Sequence, residues 1–226
     1  MNKNKNNPTT KDGNSTRGLI INKANEIINS IGMVDFRIEY LAQSLSISPG
    51  NITYHFPRKD DISSAIWMQC QKDISSSIDG YITPFIDIKQ LYLFYRYIIT
   101  TLYSYRGVAA YMLGDCGVID REKIFFRDLW RLGHARYDKI LDLLSSGEYI
   151  KKIENKQMRD LCFESQTVVL GWWINHSISK GNIDVSSTID YYAFVALISL
   201  YPFVTEKGMA QYINVQSLLL DNENKQ

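Results

Sequence analysis

Apolar residues recur at helical spacing along almost the whole chain, whereas the strict alternation of a half-buried strand is weak nearly everywhere. That pattern restricts the 226-residue sequence to an all-α fold. The first example is the stripe Ile20, Ile21, Ala24, Ile27, Ile28 and Ile31, which Gly32 ends as a helix C-cap. The spacing predicts helices over about 15–31, 37–45, 49–56, 59–79, 84–106, 108–115, 120–145, 154–180, 186–204 and 206–220. Most joints between them carry Gly or Pro: Gly80 with Pro84, Gly107, Gly114, Gly117, Ser145-Ser146-Gly147, Gly181 and Pro202. Three short helices thus precede a larger helical bundle, which divides the chain into a basic, disordered tail (1–14), a small N-terminal domain (15–58) and a C-terminal domain (59–226).

Composition excludes several classes. A net charge of +1 leaves no whole-protein electrostatic case for nucleic acid, so any such case must be local. Residues 1–17 supply one local excess, with Lys3, Lys5, Lys11 and Arg17 against Asp12. Cys70, Cys116 and Cys162 are an odd number, far apart and without a CxxC pair, which points away from a disulfide framework and toward a reducing, cytoplasmic compartment. The apolar run Tyr191–Val204 is too short to span a bilayer, so no membrane segment is expected. His134, Asp138 and Asp142 share one helical face, but that pattern is common on solvated helices. With three histidines and no nucleophile motif, the sequence reads as no enzyme, with no metal or cofactor.

The stretch Ser46–Asp60 carries the chemistry. Ser48-Pro49-Gly50-Asn51 looks like a β-turn, yet apolar residues follow it at helical spacing. Two short helices joined by Ser46-Ile47-Ser48 and backed by a longer one form the arrangement of a helix-turn-helix DNA reader. In that arrangement the third helix enters the major groove N-terminus first. Ser48 is a good N-cap, Pro49 at the first helical position forfeits no hydrogen bond, and Gly50 lets the backbone come close to the groove wall. Asp35 is the expected cap of the second helix. Ile47, Ile52 and Phe56 would pack inward on Ile27, Ile31, Leu41 and Leu45, leaving Pro49, Gly50, Asn51 and Tyr54 on the outer side with Thr53 and His55 at its margin. Asn bonds adenine through two atoms, while Tyr, Thr, His and Lys bind phosphates. Lys59 sits at a helix start that does not favour a cation and so asks for an anionic partner.

The segment Ile20–Ile66 resembles the DNA-binding domain of the TetR/AcrR-type bacterial transcriptional regulators. The resemblance rests on Ala24, Ile27-Ile28 and Gly32, on Leu41-Ala42-Gln43-Ser44-Leu45, on Ser48-Pro49-Gly50, on Tyr54-His55-Phe56, and on Lys59-Asp60-Asp61-Ile62. It implies that Pro49, Gly50, Asn51, Tyr54 and His55 lie at or beside groove-facing positions and that Lys59 holds a phosphate of double-stranded DNA. Three positions depart from the family pattern: Thr53 stands where tyrosine is usual, Ser46 replaces a common turn glycine, and Arg37 replaces a threonine at the front of the second helix. Arg37 is either a substitute phosphate contact or a solvated side chain.

After residue 66 aromatic residues are numerous, and large aromatics dominate cores, interfaces and ligand pockets alike. The resemblance implies a ligand pocket, for which Trp67, Gln71, Tyr95, Tyr103, Trp130, His134, Trp172 and His176 are candidates, and Arg96 and Arg127 are further polar ones. It also implies a homodimer through the helices near 154–180 and 186–204, the second of which is apolar all round and must be covered. The expected function is a repressor released from a palindromic operator by a small apolar or aromatic effector. The alternative is a regulator of the same fold with no small-molecule ligand, acting as an activator or through a protein partner.

Overall fold

The computed structural model describes residues 15–81, 86–114, 120–179 and 185–223. Their elements are α1 (Thr16–Asp35), α2 (Ile38–Leu45), α3 (Pro49–His55), α4 (Lys59–Tyr81), α5 (Ile88–Ser104), α6 (Arg106–Gly114), α7 (Asp120–Ser146), α8 (Lys156–Ser179), α9 (Val185–Leu197), a 3-10 helix (Ile198–Phe203) and α10 (Glu206–Glu223). Among the described residues the only β pairing is an isolated bridge between Ile150 and Val204, so the fold is all-α.

The head is built from α1 to α3. Ser15 caps α1 through its hydroxyl, which accepts from the Gly18 N–H at 3.1 Å. Gly32 interrupts the helix at φ 80, ψ 162, and one more turn runs to Asp35. Ile20, Ala24 and Ile28 are fully buried, and so is Phe36 beyond the break. Ile31, expected in the core, is instead 40% exposed at the break, because the chain changes direction immediately after it. Asp35 does not cap α2. The N-cap is Arg37, without a side-chain cap bond. Leu41, Ile52 and Phe56 close the head's core, which continues into α4 through Ile62 and Ile66.

The body comprises α4 to α10. Three boundaries differ from expectation. Helix α5 starts at Ile88 rather than near residue 84, because Asp87 and Gln90 form a reciprocal capping box. The break before α6 falls at Tyr105, while Gly107 lies inside the first turn of α6. The helix predicted over 186–204 becomes 3-10 from Ile198, since Pro202 removes an N–H and clashes with the carbonyl four residues back. Helix α8 opens after Asn155, whose Oδ1 accepts from the Met158 N–H at 3.1 Å. Helices α5 and α9 are tied by Asp190, which accepts from Arg96 Nε at 2.5 Å and from the Tyr92 hydroxyl at 3.1 Å. No described helix is long and apolar enough to cross a membrane.

Candidate nucleic-acid interface

The turn before α3 is set by backbone geometry. Ser46 adopts the left-handed conformation at φ 55, ψ 40, and its N–H bonds the α2 carbonyls of Ala42 and Gln43. The chain then reverses through Ile47 and Ser48. The Ser48 hydroxyl accepts from the Asn51 N–H at 3.2 Å, with Pro49 in the first helical turn. The apparent β-turn is therefore a capped helix start.

Burial sorts the seven residues of α3 into two faces. Ile52 is fully enclosed, and the chain turns inward again at Phe56. Ser48, Pro49, Gly50, Asn51, Thr53 and Tyr54 are all exposed and His55 is half-buried. Tyr54 is the extreme case at 82%, standing edge-on to the His55 ring at 5.2 Å between centroids. Thr53 bonds back to the Gly50 carbonyl at 3.2 Å, which leaves its short side chain close to the helix. A Cβ built on Gly50 would meet only Ser48 Oγ, at 3.8 Å, so the protein's own packing does not require glycine there.

Two cations flank this face. Lys59 Nζ donates to the Val34 carbonyl at 3.3 Å, and Arg37 Nη1 donates to the same oxygen at 2.9 Å. Partial burial and the neighbouring Arg37 charge push the Lys59 pKa down, partly offset by Asp60 and Asp35. Neither cation takes part in the ion pairs recorded among the described residues. Two positive charges converging on one carbonyl repel each other, and an arriving anion relieves that repulsion.

Two further exposed groups border this face: Arg17, which the sequence counted only as tail charge and which lies in α1, and Tyr40, which it did not select. The Arg17 guanidinium lies over the Phe56 ring, 4.5 Å from its centroid, which fixes a positive charge beside the C-terminal end of α3. Tyr40 projects from α2 and is about half exposed. Nothing in the helical period marks Arg17, because the contact spans α1 and the end of α3.

The expected pocket residues differ in burial and in partners. Trp67 and Tyr95 are buried, and Gln71 and Tyr103 are half-buried. Both amide atoms of Gln71 are enclosed without a hydrogen-bond partner. Burial raises the Tyr95 hydroxyl's pKa well above the usual tyrosine value. Tyr103 stacks obliquely on Trp173 at 6.2 Å, and Trp173 meets Tyr192 at 5.8 Å. Sequence reasoning did not select Trp173, although its buried Nε1 also lacks a partner. Its neighbour Trp172 stands on the outer side of α8 at 56% exposure. His176 is bonded through Nδ1 to the Tyr192 hydroxyl at 2.7 Å. His134 Nε2 contacts Asp160 Oδ1 at 2.7 Å, while Asp138 and Asp142 both pair with Arg159. The side chains of Arg127 and Trp130, like Cys116, lie outside the described residues.

A helix-turn-helix head carried on a larger helical body is an architecture found among solved structures. The solved structures supply a particular instance: the chain superposes on the crystal structure of a TetR-family transcriptional regulator from Marinobacter aquaeolei VT8 with a TM-score of 0.76 and 20% identity. The match covers 92% of this chain and 98% of that one. The fold of this chain is thus the TetR-family fold. No protein-family model and no curated protein matches the sequence.

Proposed function

We propose that the chain is a transcriptional regulator that reads a palindromic DNA operator through α3 as a homodimer, and that it is a repressor released by a small apolar or aromatic ligand. The observation that carries the reading is the exposed face of α3, where a capped helix start, Asn51 and Tyr54 stand free on a rigid core with Arg37 and Lys59 beside them. In this reading Asn51 bonds a base edge, Tyr54 and His55 meet the backbone, and Arg37 and Lys59 hold phosphate.

Gly50 supports the reading independently. Glycine in a helix is destabilising relative to alanine by about 0.5–1 kcal/mol, and no internal contact here demands it. An external surface that must come close does.

The ligand part rests on the body's interior. Gln71 and Trp173 hold buried polar atoms without partners, a state that a guest offering a donor and an acceptor would relieve. Release then follows from differential affinity: a ligand preferring the head spacing that misfits DNA weakens DNA binding by the factor by which DNA weakens the ligand.

The second copy meets α8 and α9. Leu161, Val168 and Trp172 form one exposed apolar stripe on α8, beside Tyr191 and Ile198 on the α9 side. Stripes of this kind on a soluble surface mark an interface, and a twofold pairing presents two heads to two half-sites.

The test is selection of DNA from a random pool by the full chain, followed by anisotropy titrations. Asn51→Ala should cost about 1–3 kcal/mol on the selected site. Arg37→Ala and Lys59→Ala should each lower the salt slope of binding by about 1. Gly50→Ala should raise folding stability and yet weaken binding. Unchanged binding in all four variants refutes the assignment of the reading head.

A further inference from the structure

The head is held to the body by a joint remote from α3. Asn25 and Asn29 lie one turn apart on α1, and their Nδ2 groups donate to the same acceptor, the Ser104 carbonyl, at 3.0 and 2.8 Å. Asn29 Oδ1 accepts from the Gly107 N–H at 2.9 Å. One side-chain amide therefore grips both ends of the α5–α6 corner: a carbonyl that ends α5 and an N–H that begins α6, groups that helix termini leave without intrahelical partners.

Gly107 makes the grip close. A Cβ there would lie 2.4 Å from the Ile28 carbonyl oxygen, so the α6 backbone rests directly on that of α1. The same corner is held from the other side by α4. The Tyr105 hydroxyl donates to Asp73 Oδ2, and the Tyr97 hydroxyl reaches the Asp73 carbonyl and Ser77 Oγ, each at 2.8 Å. Both α1, which supports the head, and α4, which leaves it, are thus fixed to one corner.

Apolar contact alone would leave α1 free to slide, because hydrophobic burial is non-directional. Three hydrogen bonds between two side-chain amides and backbone groups, two donated by the amides and one by the Gly107 N–H, fix a direction instead. We infer that Asn25, Asn29 and Gly107 are positioning residues that set the angle of the head on the body, and so determine which half-site spacing the dimer accepts. The inference rests on the DNA-binding reading above.

The experiment uses the full chain and the palindrome it selects, with the centre lengthened or shortened by one and two base pairs, and a single half-site as reference. Wild type should discriminate sharply between spacings. Asn29→Ala, which removes two of the three bonds, should reduce that discrimination by about tenfold or more while leaving single half-site affinity unchanged. Asn25→Ala, which leaves the Asn29 grip in place, should give a smaller change in the same direction, and it carries the test if Asn29→Ala fails to fold. Gly107→Ala, which must push α6 off Ile28, should shift the preferred spacing. Folded variants that keep the wild-type discrimination ratio overturn the inference alone. A wild-type chain that retains no DNA overturns the DNA-binding reading and this inference with it.

Discussion

Ser46 and Gly32 form a matched pair of backbone positions with opposite expectations. Ser46 holds φ 55, ψ 40 at the C-terminal end of α2, a region that costs an L-residue roughly 1–2 kcal/mol. Glycine removes that strain but adds freedom to the unfolded chain, so Ser46→Gly should stabilise by about 0.5–1 kcal/mol. Gly32 sits at φ 80, ψ 162, a conformation adopted almost only by glycine, and a Cβ there would touch nothing within 4 Å. The loss on Gly32→Ala is therefore one of backbone alone, about 1–3 kcal/mol. Denaturant midpoints at unchanged slope measure both, and equal signs for the two substitutions would sink the argument. Sequence marked Gly32 as a stop because the apolar stripe ends there. It also assigned Ile31 inward by continuing that period, and the break exposes it. At Ser48 the cap, the proline and the helix start were all legible, since capping is a local matter of neighbouring residues. The Arg17 contact with Phe56 was not, because it joins positions far apart in the chain.

At the scale of elements, legibility followed the same division. Long helices with a clear stripe fell where their period put them, whereas boundaries were lost where two local signals competed. Pro84 drew the start of α5 forward, although Asp87 and Gln90 carry the spacing of a capping box. Gly107 read as a breaker, while its actual task is close contact with α1, which only the folded chain reveals. The tie between α5 and α9 is another tertiary fact. Asp190 is 10% exposed at its side chain and receives both Arg96 and the Tyr92 hydroxyl, whereas Arg96 remains 44% exposed and so gains less from the pairing. Asp190→Ala leaves the buried Tyr92 hydroxyl without its acceptor, and we expect a loss of about 1–3 kcal/mol. Asp190→Asn keeps an oxygen for Tyr92 and should lose less. Chemical denaturation monitored by circular dichroism reads both, and an Asp190→Ala midpoint equal to wild type would show that the tie contributes nothing.

For the whole molecule the proposed function turns on how two heads would face one duplex. The candidate surface is the outer side of α8, where Leu161, Val168 and Trp172 follow one another at spacings of seven and four and so lie on a single face. Val168 is 62% and Trp172 56% exposed, values that leave large apolar groups in water unless another surface covers them. The neighbouring α9 side adds Tyr191 and Ile198, each close to half exposed. A second copy can cover all five by a twofold rotation, since an isologous interface brings the same patch from both chains together. Val168→Glu then places two carboxylates at the centre of the contact. Burying them unpaired should weaken dimerisation by about 3 kcal/mol or more, roughly a hundredfold in dissociation constant. Sedimentation equilibrium of the full chain should show a dimer for wild type and a monomer–dimer mixture for Val168→Glu at the same concentration, with helical content unchanged. On the proposed function DNA binding should fall with dimerisation, because one head would reach only one half-site. A wild-type chain that stays monomeric at tens of micromolar, or a Val168→Glu chain that dimerises as tightly as wild type, removes α8 from the interface and with it the geometric basis for a palindromic operator.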